Sequence, residues 1–282
     1  MDFVDTTTLQ ISKRLLKLGL MENPYIPYSD DRYFVPLPSQ QNVYRELFMM
    51  IEEKGEKNFA FVTGELGVGK STLARRLVRA LAPVTHHGNA TGIYIDKEEG
   101  TPSKLVKKIE AALNVDESGT YKKRLEAISR HLQQRTIGSS SLFLAIDTEL
   151  TKEAADILQY MLSLRIYDDS YVQVAIFLED PAAVMNNSLT GVSQNLRKIL
   201  SIDSPSDSDL TNLLHQMSLL AGRATPPLFE PEAVNALILY SGSNPGKLMS
   251  LAASALQYLI TSKRGGQTIA ANLVESIAQS KL

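Results

Sequence analysis

The residues Gly64-Glu65-Leu66-Gly67-Val68-Gly69-Lys70-Ser71 fit the pattern G-x-x-x-x-G-K-[ST] with no mismatch. Glycine has no Cβ, so the loop can fold closely around an anion and aim successive N–H groups at it. A lysine and a hydroxyl residue straight after the last glycine supply the remaining contacts. Lys70 is placed to reach the β- and γ-phosphates of a nucleoside triphosphate, and the Ser71 hydroxyl to hold Mg²⁺. Gly64, Gly67, Val68, Gly69, Lys70, Ser71 and Thr72 are the expected contacts of ATP.

Such a loop works only if a strand delivers it and a helix leaves it. Upstream, Asn58-Phe59-Ala60-Phe61-Val62-Thr63 has the continuous apolar character of a buried strand, and Ser71 onward has helical spacing. The helix N-terminus adds partial positive charge where phosphate would sit. Further along, the apolar run Leu142 to Ile146 ends in Asp147, a carboxylate at a strand tip suited to holding Mg²⁺ through water. Hydrolysis also needs a group that orients or deprotonates water. Thr148 follows Asp147 directly, with Glu149 one residue later, and Glu179 stands at the end of the strand-like run Val172 to Leu178. Adjacent residues on an extended strand face opposite ways, so Glu149 does not automatically occupy the place of residue 148. Both acids are candidates.

Strand-like runs near 58–63, 90–96, 141–147, 172–178 and 200–202 alternate with helical segments, including 102–113, 121–134 and 152–164. That alternation predicts an α/β fold with a parallel five-stranded sheet covered by helices on both faces. From Pro205 the spacing becomes all-helical. The organisation expected is an N-terminal helix and linker over 1–38, a nucleotide-binding domain over 39–204 and a small helical lid over 205–282. A length of 282 residues suits this, and 44% hydrophobic with 21% charged residues is an ordinary globular balance. The absence of Cys excludes disulfides and thiol chemistry, and adjacent His86 and His87 without a carboxylate nearby read as a surface loop rather than a metal site. No apolar run reaches membrane-span length, and the first residues lack a signal-peptide pattern, so a cytoplasmic protein is expected.

Beyond the phosphate loop and Asp147, three outer stretches carry a narrower likeness: Glu22-Asn23-Pro24-Tyr25 with Asp31-Arg32-Tyr33-Phe34, and Ser241-Gly242-Ser243-Asn244-Pro245-Gly246-Lys247. With these the chain resembles the AAA+ ATPases, and within them the ExeA-like group that shades into the TnsC and MuB transposition regulators. The resemblance spans nearly the whole length. It implies an α/β core, a helical lid, and ATP shared between neighbouring subunits of a ring or helical filament. It also implies that Lys247 is the lid's nucleotide-sensing cation and that Arg197 is a finger inserted into the next subunit's site. The chain departs from the group at Thr148, where an acid is usual, and at Glu179-Asp180-Pro181, where a Gly-Gln-Pro type turn is common.

Two roles follow for such an ATPase. One is a DNA-associated transposition regulator. The net charge of −2 offers no global attraction for nucleic acid, yet residues 104–135 hold eight Lys and Arg against four acids. Lys104, Lys107, Lys122 and Lys123 are the candidate contacts to duplex phosphates. The alternative is an accessory ATPase of type IV pilus or type II secretion assembly, whose partners are proteins.

Overall fold

A computed structural model of the chain describes residues 6–26, 33–53, 57–81, 90–96, 98–134, 141–166, 170–180, 196–223, 225–262 and 266–281. His86, His87, Asp31 and Arg32 lie outside the described residues, as does the side chain of Arg197. The chain forms two compact units: Ser39–Asp203, and a second built from the N-terminal segment through Pro38 together with Ser204 onward. Among the described residues no helix is long and apolar enough to cross a membrane.

The first unit begins in α2 (Pro38–Glu52), preceded in the chain by α1 (Thr6–Lys17), and continues through β1 (Phe59–Thr63), α3 (Lys70–Ala80) and β2 (Ala90–Ile95). Next come α4 (Pro102–Leu113), α5 (Tyr121–Gln133), β3 (Ser141–Ile146) and α6 (Lys152–Leu162). Two short strands, β4 (Arg165–Ile166) and β5 (Ser170–Tyr171), pair antiparallel before β6 (Gln173–Leu178) and β7 (Leu196–Ser201). The main sheet is parallel throughout, in the order β2-β3-β6-β1-β7. Every residue of β1 and of β6 is buried, which explains why their sequences read as unbroken apolar runs. Leu105, Ile109, Ile128, Leu144, Leu158 and Met161 form part of a core that helices α4, α5 and α6 share with the sheet. Each such side chain contributes about 1.5–3 kcal/mol relative to exposure, so helices that are half polar stay bound to the sheet. Thr151 caps α6 by accepting from the Ala154 N–H, and Pro102 opens α4 where no amide donor is needed.

The fifth strand, expected around 200–202, runs instead from Leu196 to Ser201. It pairs with β1 through a register shift between Phe59 and Ala60. The β4–β5 pair had no signal in the sequence, being two residues a side.

The second unit contains α1 with α7 (Asp207–Leu220), α8 (Pro231–Ser241), α9 (Pro245–Thr261) and α10 (Ala271–Lys281). Ser206 and Asp209 form a reciprocal capping box at α7, and Asn244 caps α9 by accepting from the Lys247 N–H. The N-terminal segment expected as a helix and linker is part of this helical unit. Leu15, Leu18, Leu20 and Tyr25 are buried with Leu210, Leu214, Leu237 and Leu256 in one core. The Glu22-Asn23-Pro24-Tyr25 motif supplies the anchor. Asn23 Oδ1 accepts from the Tyr25 N–H at 3.1 Å, and its Nδ2 donates to Ala253 O at 3.4 Å. The Tyr25 ring meets Phe229 edge-on at 5.4 Å, and its hydroxyl donates to Leu214 O and pairs with Ser218 Oγ. Tyr33 donates to Glu22, so the two halves of the outer motif meet.

Candidate nucleotide site

The phosphate loop is held from three directions. It starts where β1 ends at Thr63 and finishes at Gly69, the N-cap of α3, which has φ 92° and no side-chain cap. The partial positive charge of the α3 N-terminus suits an anion at this point. Gly69 suits this place on two counts. Its φ is in the left-handed region, and a Cβ there would lie 2.4 Å from Gln40 Nε2. That same Nε2 donates to Val68 O at 2.7 Å, so buried Gln40 on α2 braces the loop just before its turn into the helix. Lys70 is only 8% exposed, and its ammonium donates to Gly64 O at 2.7 Å and Glu65 O at 2.9 Å. The cation thus lies over the loop that its own helix terminates.

Asp147 follows β3, with its N–H bonded to Ile95 O of β2 at 2.9 Å. Its Oδ2 accepts from the Tyr94 hydroxyl at 2.6 Å. Gly92 shows which face this is. A Cβ on Gly92 would come within 2.9–3.0 Å of the Val78 backbone, so that face of β2 abuts α3. Tyr94 shares the face with Gly92, and since Tyr94 pairs with Ala145, Asp147 two residues on lies on it too. The Arg75 guanidinium of α3 stands 5.5 Å from the centre of the Tyr94 ring. Burial, reinforced by the hydrogen bond to Asp147, pushes the Tyr94 phenol above its ordinary pKa, so it remains a donor at neutral pH. A hydroxyl at Ser71 and a carboxylate at Asp147 on the α3 side of the sheet are the hard oxygen donors that suit Mg²⁺. The residues fit that ion.

Strand order brings in Glu179. β6 lies between β3 and β1, with Leu178 opposite Thr63 and Ile176 opposite Ile146. Glu179 therefore leaves the sheet beside Gly64, and Asp147 leaves it one strand over. With strands about 4.8 Å apart, both acids emerge within about 10 Å of the loop's first residue laterally. Glu179 and Glu149 are both exposed, whereas the Thr148 hydroxyl donates to Glu149 O at 3.2 Å. Arg197 lies on β7 next to the register shift, at the strand end away from Ser201, which pairs with Thr63. Lys247 belongs to the helical unit, exposed in the first turn of α9.

On α4 and α5 the cations divide. Lys108 pairs with Glu99 at 2.8 Å, and Arg124 is bound through Nε and Nη2 to buried Glu110. Lys104, Lys107, Lys122, Lys123 and Arg130 are exposed.

Two residues of the site escaped the sequence reading. Gln40 precedes Val43, Leu47, Met50 and Ile51 at helical spacing, and all five are buried. A polar residue in phase with an apolar stripe was the available signal. Tyr94 stands between buried Ile93 and Ile95, where only strand alternation hints that it faces elsewhere.

Among solved structures, the chain is similar to Cdc6p from Pyrobaculum aerophilum, with TM-score 0.69 and 18% identity over 93% of this chain and 72% of that one. It is also similar to the Aeropyrum pernix ORC1 protein in complex with DNA, with TM-score 0.69 and 15% identity over 92% and 68%. The Aeropyrum pernix ORC2 protein in ADPNP–ADP complexes matches with TM-score 0.70 and 15% identity over 92% and 72%. At these identities the likeness is one of fold. No curated protein sequence matches the chain. The AAA domain family model matches residues 52–227, which include the phosphate loop, Tyr94, Asp147 and Glu179. The chain belongs to the AAA domain family of P-loop ATPases.

Proposed function

We propose that this protein is a slow ATPase whose nucleotide state controls its self-assembly and its engagement of duplex DNA, in the manner of the transposition regulators its sequence resembles. The observation that carries the reading is that Lys70, Asp147 and Glu179 follow the C-terminal ends of the neighbouring parallel strands β1, β3 and β6. Loop amides and the start of α3 bind the phosphates, and Lys70 exchanges Gly64 O and Glu65 O for phosphate oxygens. Ser71 and Asp147 would hold Mg²⁺, which offsets charge on the transferred phosphoryl group. Glu179 orients or deprotonates the attacking water, with Glu149 the less direct candidate. Thr148 directly after Asp147 cannot serve as the base, so the catalytic acid is displaced and slow turnover is expected. Lys247 acts as the nucleotide-sensing cation, and Arg197 as the finger that reaches the site of a neighbouring subunit.

Support for a DNA partner comes from exposed Lys104, Lys107, Lys122 and Lys123, which can hold phosphates without reading bases. The similar ORC1 structure is itself a complex with DNA.

The test measures duplex binding by anisotropy and assembly by sedimentation, with ATP, ADPNP or ADP across a salt series. Binding that needs triphosphate, falls with salt and disappears on reversing the four lysines to Glu is the expected result. Glu179→Gln should stop turnover while sparing ATP-driven assembly. Triphosphate-driven assembly that ignores duplex even at low salt would overturn the DNA role in favour of accessory work in pilus or secretion assembly.

A further inference from the structure

We infer that Tyr94 and Arg75 form a positioning relay that ties the phosphate-loop helix to Asp147 and sets that carboxylate for its metal. The inference rests on the reading of Asp147 as the Mg²⁺ acid. Ser71 and Arg75 are one helical turn apart, so they project from the same side of α3. Arg75 stands over the Tyr94 ring at 5.5 Å, and the Tyr94 hydroxyl donates to Asp147 Oδ2 at 2.6 Å. Asp147 and Ser71 are the two protein donors proposed for the ion. The observed contacts run from helix to guanidinium to phenol to carboxylate, and Asp147 and Ser71 would both hold the ion.

The physical consequence is orientation. A carboxylate just past the end of a strand rotates about two side-chain bonds, and a phenol donating to Oδ2 restricts that rotation. Outer hydrogen bonds of this kind set ligand direction and commonly change metal affinity by about 10-fold or more. The phenol in turn is held by a cation on the element that carries Ser71.

The experiment compares ADPNP affinity by calorimetry in excess EDTA and in excess Mg²⁺ for wild type, Tyr94→Phe, Arg75→Gln, Asp147→Ala and the Tyr94→Phe/Asp147→Ala double variant. In EDTA, Tyr94→Phe should match wild type within about twofold, since the phosphate cradle is untouched and the ring is retained. In Mg²⁺ it should lose about tenfold of the gain the metal gives wild type. Arg75→Gln should lose less, and the double variant should behave as Asp147→Ala alone. A full Mg²⁺ gain in Tyr94→Phe, or an equal loss with and without metal, overturns the relay. Should Asp147→Ala keep the wild-type gain, the metal reading of Asp147 falls first and the relay with it.

Discussion

Lys70 and Arg223 are both buried cations held by backbone carbonyls, at 8% and 6% exposure, and their surroundings give them opposite roles. Lys70 takes its acceptors from Gly64 and Glu65, on the loop it terminates. Arg223 takes its from Leu18, Pro226, Pro227 and Gln267, three separate stretches of the helical unit. A primary ammonium on a flexible stem can trade two local carbonyls for phosphate oxygens and return. A planar guanidinium with its donors spread over four carbonyls cannot move without unpicking the junction of the N-terminal segment with the C-terminal helices. Burial lowers the Arg223 pKa, against the pull of Tyr25, but a guanidinium stays charged at any ordinary pH. One cation is tied to a single short loop, and the other rivets three stretches together.

Three substitutions test that contrast. Lys70→Ala should weaken ATP binding by about 100-fold or more, because a charge-assisted contact to the phosphates is lost. Its thermal unfolding should stay near wild type. Calorimetric titration beside a melting curve checks both halves, and undiminished affinity would break the comparison at its strongest point. Arg223→Met should cost about 3 kcal/mol of stability, since buried carbonyls lose their donor. Denaturant unfolding followed by circular dichroism measures this; a neutral outcome would mean that water replaces the guanidinium and the rivet is dispensable. Gln40→Ala should show the smallest effect. Losing one brace on Val68 O should lower nucleotide affinity about threefold to tenfold, consistent with about 1 kcal/mol for a single hydrogen bond. An effect as large as that of Lys70→Ala would recast Gln40 as a direct ligand.

The pattern of what could be foreseen follows from sequence separation. The phosphate loop is local: eight consecutive residues fix its chemistry, and the flanking apolar run and helix fix its setting. Buried strands announce themselves as apolar runs, so β1, β3 and β6 lie within a residue or two of where periodicity puts them. β7 was legible only at its apolar end, because Arg197 and Lys198 occupy its first half at the sheet's edge. The short β4–β5 pair was invisible for want of length.

The sequence by itself determined the nucleotide cradle, the alternation that requires a parallel α/β sheet, and the helical character of the C-terminal part. Each depends on residues within a turn or a strand of one another, where periodicity and spacing act directly. Only the tertiary structure decided that β6 inserts between β1 and β3 and so carries Glu179 to the loop's first glycine. It alone decided that Tyr94 grips Asp147 and Gln40 braces Val68. It also joined Glu22-Asn23-Pro24-Tyr25 to helices nearly two hundred residues away. Those pairings depend on which buried faces fit one another, a property of packing that linear spacing does not encode.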